Sequence, residues 1–272
     1  MKNLLAALLF LTLLGLSLPA RALTVSDELH QKLQRELDAV WAQGPKLGDT
    51  LFFLREAGGA YLPDIMPAAD PDRYQEMDRR RLMVGAYWMD LTYASAFHQA
   101  EPAARFGQAI GRLLENLGHP WPEMERGYRE ALEQIDQPGG EERLQALFRE
   151  MDADTGWQEM LREGDGLELV VDGLYGYLVE GLYIASEIAV LSNYESNYMR
   201  FVGDTRNAFL VFQNMLRQFE SDPELADLMQ GSERLQFIAQ LLEIIGDAPE
   251  IGPEQIQDLR PVITKARNDI VF

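Results

Sequence analysis

The chain is 272 residues long, has no cysteine, and carries 24 basic against 44 acidic residues, a formal net charge of −20. A field of that sign repels nucleic acid and anionic lipid headgroups, and the missing thiols exclude disulfides, thiolate metal sites and cysteine nucleophiles. A hydrophobic content of 47% is enough for a sizeable core built by packing alone.

The chain opens with a short basic head, Met1-Lys2-Asn3, then an apolar run from Leu4 to Leu18, then Ala20-Arg21-Ala22. That is the pattern of a cleaved signal peptide, and the run is shorter than the roughly 20 residues of a membrane-spanning helix. Cleavage is expected after Ala22, which removes Lys2 and Arg21 and takes the net charge from −20 to −22. A lipoprotein would need a cysteine after the run. The expectation is therefore a leader over 1–22 and a single all-helical domain over 23–272. The product is expected to be periplasmic or secreted, with no stable membrane insertion after cleavage.

Helix signals dominate the rest. Asp70-Pro71, Glu101-Pro102, Asp222-Pro223 and Gly252-Pro253 place proline at the start of apolar-periodic stretches, where its missing N–H does no harm. Glycines 44, 58–59, 118, 139–140 and 246 punctuate the ends, and no stretch sustains a strand's alternation. In chain order, helices are predicted over 27–42, 50–57, 71–99, 102–117, 122–135, 141–151, 167–192, 199–219, 223–229, 233–245 and 253–270. A loop is predicted over 58–69, and a kink or break at Pro261. Gly107 and Gly111 are positioned to let a neighbouring helix approach closely. Arg79, Arg80 and Arg81 are expected to pair with acids, and Phe201, Phe209, Phe212 and Phe219 to enter the core. The helix over 167–192 is long enough to cross a membrane. It contains Glu168, Asp172, Glu180 and Glu187, however, and each central charge costs about 2.5–3.5 kcal/mol on insertion. It reads instead as the buried core helix of a soluble bundle. The predicted fold is all-α, an antiparallel helical bundle.

Two segments echo each other. Tyr87-Trp88-Met89-Asp90-Leu91-Thr92-Tyr93-Ala94-Ser95 and Tyr177-Leu178-Val179-Glu180-Gly181-Leu182-Tyr183-Ile184-Ala185-Ser186 each set an acid inside an apolar helix, with tyrosines three residues before and after. At that spacing acid and rings share a face. If the echo reflects duplication, two related halves meet at these two long apolar helices. The strings DLTYAS at Asp90 and VEGLYIAS at Glu180 resemble those of an uncharacterised family of exported bacterial all-helical proteins, over roughly residues 75–200. The resemblance implies the same fold and location and carries no activity. Many members look like lipoproteins, and this chain departs from them in lacking the cysteine.

Asp90 and Glu180 are the candidate site residues, because a carboxylate in an apolar helix must be paired, hydrogen-bonded or protonated. The functional reading has them converge with Tyr87, Tyr93, Tyr177 and Tyr183 to line a polar ligand pocket. The structural reading has the carboxylates accept hydrogen bonds from tyrosines or an arginine, with no ligand. A di-iron scheme needs Glu-x-x-His on two helices, and the one acid-x-x-His string is Asp27-Glu28-Leu29-His30. Gly-x-Ser-x-Gly, Ser-x-x-Lys and phosphate-binding glycine loops are absent from the sequence. No catalytic residue, metal ligand or cofactor is assigned. The leading expectation is a non-enzymatic periplasmic protein that binds a partner, an envelope protein, or scaffolds an envelope process. The alternative is a small-ligand or cation binder, or an enzyme, using the carboxylate–tyrosine pocket. Sealed acids favour the first, and acids facing a common open pocket favour the second.

Overall fold

The computed structural model describes residues 28, 30–35, 51, 54–56, 58–119, 122–135, 137–140, 142–143, 146, 164–222, 231–246 and 251–272. The expected leader, most of the helices expected over 27–42 and 141–151, and all of the one over 223–229 lie outside the described residues. Among the described residues no strand occurs. Single 3-10 turns at Pro63–Ile65 and Pro71–Arg73 precede α1 (Met77–Ala96), α2 (Ala100–Asn116), α3 (Pro122–Glu133), α4 (Gly164–Leu191), α5 (Ser196–Glu220), α6 (Gly231–Ile245) and α7 (Pro253–Val271). The fold is an all-α helical bundle.

Sequence punctuation places most of these ends. Pro122 and Pro253 open α3 and α7, while Gly118 and Gly246, at φ 85° and 70°, take the left-handed conformation just past α2 and α6. Gln255 secures the start of α7: its side chain accepts from the Gly252 N–H at 2.7 Å and donates to the Ile245 carbonyl at 2.8 Å. Two expectations are corrected. Pro71 starts only one 3-10 turn, and α1 begins six residues later, because Tyr74 is extended and its carbonyl is taken by the Arg80 side chain at 2.9 Å. Of the kink or break expected at Pro261, the break is not found: α7 is helical on both sides of it.

The most extensive helix contact joins α1 to α4. It is set by glycine. A Cβ on Gly85 would lie 1.7 Å from the Gly173 carbonyl oxygen, and one on Gly176 would lie 2.1 Å from the Leu82 carbonyl oxygen. The two backbones therefore touch directly, closer than any side chain allows. The close approach expected at Gly107 is not found: a Cβ there would meet Leu91 at 3.7 Å, an ordinary contact.

Around this crossing, α2 packs on α1, and both α5 and α7 pack on α4. Buried side chains from Leu33 to Val271 form one contiguous core, with Phe209, Phe212 and Phe219 at 0–1% exposure. The side chain of Phe201 lies outside the described ones. By length and composition α4 could cross a membrane, and 78% of its most apolar window is buried within the bundle. A helix surrounded by protein need not be amphipathic, which explains why α4 is apolar on all sides.

Candidate functional site

The acids inside α4 are matched by arginines from other helices. Asp172 meets Arg81 of α1 at 2.8 Å and Arg234 of α6 at 2.5 Å, and Glu168 meets the same Arg81 at 2.8 Å. Glu187 takes two hydrogen bonds from Arg260 of α7, at 2.7 and 2.9 Å. Glu180 takes two from Arg267, about two helical turns further on, at 3.1 and 3.4 Å. Buried charges survive when paired and hydrogen-bonded. These pairs are the means by which an apolar helix holds its acids and fixes its register against α1, α6 and α7. Arg81, from the arginine run, pairs with acids as expected.

Asp90 is different. It is fully buried, and none of the described N–H or O–H groups donates to either of its oxygens. The Glu180 carboxylate across the α1–α4 crossing is near enough to act on it electrostatically. Burial first, and then the negative charge of Glu180, push Asp90 well above the usual carboxylate range. Burial also raises Glu180, but the charge of Arg267 and its hydrogen bond oppose that rise. A carboxyl enclosed as Asp90 is, with no described group donating to it, is held protonated, while Glu180 accepts from Arg267.

The structure thus brings Asp90 and Glu180 together, but the tyrosines do not serve them as donors. The Tyr87 hydroxyl donates to the Ala68 carbonyl at 2.8 Å and accepts from the Asp70 N–H at 3.1 Å. The Tyr93 hydroxyl donates to the Ala60 carbonyl at 3.3 Å and accepts from the Leu62 N–H at 3.0 Å. Both ends of the 60–70 segment are therefore pinned by the tyrosines flanking Asp90. Its middle is pinned by Arg267, which donates to the Ile65 carbonyl at 3.0 Å. Tyr61, from the same segment, stacks on Tyr93 with ring centroids 5.3 Å apart. Segment 60–70 is a strap across the acid pair. Tyr183 lies under the Arg267 guanidinium, 4.7 Å from its ring centroid, and Tyr177 is half-buried on α4 near Gly85.

Arg267 was not singled out by the sequence. The signal is present, because it interrupts the apolar stripe of Ile256, Leu259, Ile263 and Ile270 and is itself buried. Beyond Tyr183 lies an open groove of about 830 Å³ between α4 and α7, lined among others by Glu187, Tyr194, Arg260 and Lys265. Neither Asp90 nor Glu180 lines it. No cluster of three or more potential metal ligands occurs among the described residues. Searches of protein-family models, curated proteins and solved structures find no match to the chain.

Proposed function

We propose that this is an exported, non-enzymatic helical protein of the bacterial envelope, related to the family its DLTYAS and VEGLYIAS strings resemble, which acts by binding a partner protein or scaffolding an envelope process. The observation that carries this reading is the enclosure of the candidate acids. Asp90 is 0% and Glu180 1% exposed, and the hydroxyls of Tyr87 and Tyr93 are spent on the strap. A site that turned over substrate would present such groups to solvent or to a cavity. Here they join helices to one another. Glu168 and Asp172 are likewise taken up by Arg81 and Arg234, so the work of the protein falls to its outer surface.

The test is native mass spectrometry of the protein purified from its host, combined with subcellular fractionation. A product starting at Leu23 in the periplasmic or secreted fraction, carrying a second polypeptide and no small molecule, is the expected result. A chain retaining Met1 and sedimenting with membranes overturns the location. A co-purified small molecule or metal ion lost in Asp90→Asn overturns the non-enzymatic reading. That outcome belongs to a second reading, ligand or cation binding at the acid pair. It is favoured by one observation: Asp90 is a buried acid to which no described N–H or O–H donates.

A further inference from the structure

We propose that Asp90 is a proton-binding site whose proton keeps the 60–70 strap closed, and that loss of this proton releases the strap. The cluster holds two carboxyls and one guanidinium. With the proton in place Asp90 is neutral and the charges of Glu180 and Arg267 cancel. Without it, one uncompensated negative charge remains at a position with no solvent contact, which is a costly arrangement in a protein interior. Water must then reach Asp90.

The strap is the cheapest element to move. It contains a single 3-10 turn, and five hydrogen bonds from the Tyr87, Tyr93 and Arg267 side chains tie it down. The α1–α4 crossing, by contrast, is locked backbone to backbone at Gly85 and Gly176. Arg267 links the two events, because the same Nη2 that binds Glu180 also holds the Ile65 carbonyl. A second carboxylate beside Glu180 draws the guanidinium inward, away from the strap.

Every element packed on Asp90 contributes to its surroundings. Helix α4 brings Glu180, α7 brings Arg267, and the strap brings Tyr61. Its own helix brings Tyr87, against which α2 sets Phe106. Arg105 of α2 acts on Tyr61, and Tyr183 lies against Arg267. Tyr61 is pushed up to about 12, by burial and then by Asp90, and Tyr87 and Tyr183 are raised as well. These tyrosines stay neutral across the range in which a carboxyl loses its proton.

Hydrogen exchange tests the proposal on the full chain, using peptides covering 60–70 with rates corrected for the intrinsic effect of pH. Opening returns Asp90 to its ordinary carboxylate pKa, so one linked proton increases the opening equilibrium about tenfold per pH unit from about pH 4 up to its folded pKa, then no further. In Asp90→Asn, which cannot ionise, strap protection is expected to be independent of pH. A flat profile in the wild type, or an unchanged profile in Asp90→Asn, overturns the proposal. So does strap exchange with the same opening equilibrium as α5 at every pH, which would mean that the strap opens only when the whole bundle unfolds. Should Asp90→Asn not fold, the infrared spectrum of the wild type decides: the carbonyl stretch of a protonated carboxylic acid is expected to persist above the ordinary carboxylate range, and its absence there refutes the bound proton.

Discussion

Replacing single glycines with alanine at the α1–α4 crossing separates three outcomes that share one chemistry. Alanine in place of glycine inside a helix gains about 1 kcal/mol of propensity wherever there is room. At Gly85 there is none: the new Cβ would lie 1.7 Å from the Gly173 oxygen, 2.5 Å from its carbonyl carbon and 2.8 Å from the Tyr177 nitrogen. Ordinary contact begins at 3.4 Å, so the helices must part by about 1.7 Å. Overpacking costs about 1–3 kcal/mol, and the upper figure applies because the obstacle is helix backbone rather than a side chain that can swing aside. The net loss for Gly85→Ala is about 2 kcal/mol after the propensity gain. For a domain of this size that is a fall of about 4–8 °C in Tm. Gly176→Ala, facing the Leu82 oxygen at 2.1 Å, should behave the same way. Gly173→Ala should not, because its nearest contacts are 3.8 and 4.0 Å away. It is expected to raise Tm by about 2–4 °C. Thermal and urea melts followed by far-UV circular dichroism read all three. Gly85→Ala melting within a degree of wild type, or Gly173→Ala falling as far as Gly85→Ala, would refute the crossing geometry.

Arg267→Ala leaves Glu180 buried without its cation and should cost about 3–5 kcal/mol in urea denaturation. Arg260→Ala, whose side chain is 47% exposed, should cost no more than about 1 kcal/mol, and equal losses would contradict the assigned burial. Tyr87→Phe and Tyr93→Phe each remove a hydroxyl that both donates to and accepts from the strap, at about 1–3 kcal/mol apiece. Faster proteolytic cleavage between 60 and 70 is the expected sign, and unchanged cleavage would show that the hydroxyls do not hold it. The pH dependence of global stability has a definite sign. Asp90 and Glu180 both have folded-state pKa values raised above their unfolded ones. Their contribution is therefore complete below the ordinary carboxylate range and is lost as pH rises through the folded values. Urea midpoints of the wild type should decline over that interval and those of Asp90→Asn should decline less; a wild-type midpoint that climbs instead would reverse the assignment.

How far the fold could be read in advance depends on which interactions are local. Proline and glycine act on their own backbone, so the limits of α3 and α7 and the turns at Gly118 and Gly246 could be seen in the letters. An acid in an apolar helix is anomalous wherever it sits, so Asp90 and Glu180 could be singled out, but their spacing along the chain does not say whether they meet. Their partners were harder to find. Arg267 lies 87 positions from Glu180, and only its intrusion into an apolar stripe marks it. The tyrosine spacing placed the rings beside Asp90, but a phenol hydroxyl sits at the far end of its ring, and spacing does not say which carbonyl it reaches. Gly85, Gly173 and Gly176 looked like weak points in good helices. That they are contact points follows only once α1 and α4 are laid together. Gly107, on a helix whose pattern suggested the same, faces side chains that leave it room.

The position of Arg267 also orders the folding of the chain in time. Asp90 and Glu180 are made long before the cation that balances them, and Tyr74 and Arg79 reach forward to the backbone of Val271 and Ile270. Contacts so distant along the sequence close slowly, because a large loop must be brought together first. A polypeptide emerging one residue at a time would expose an unfinished, acid-bearing apolar surface until α7 arrives to complete it. Such a surface invites misassociation until α7 packs on α4.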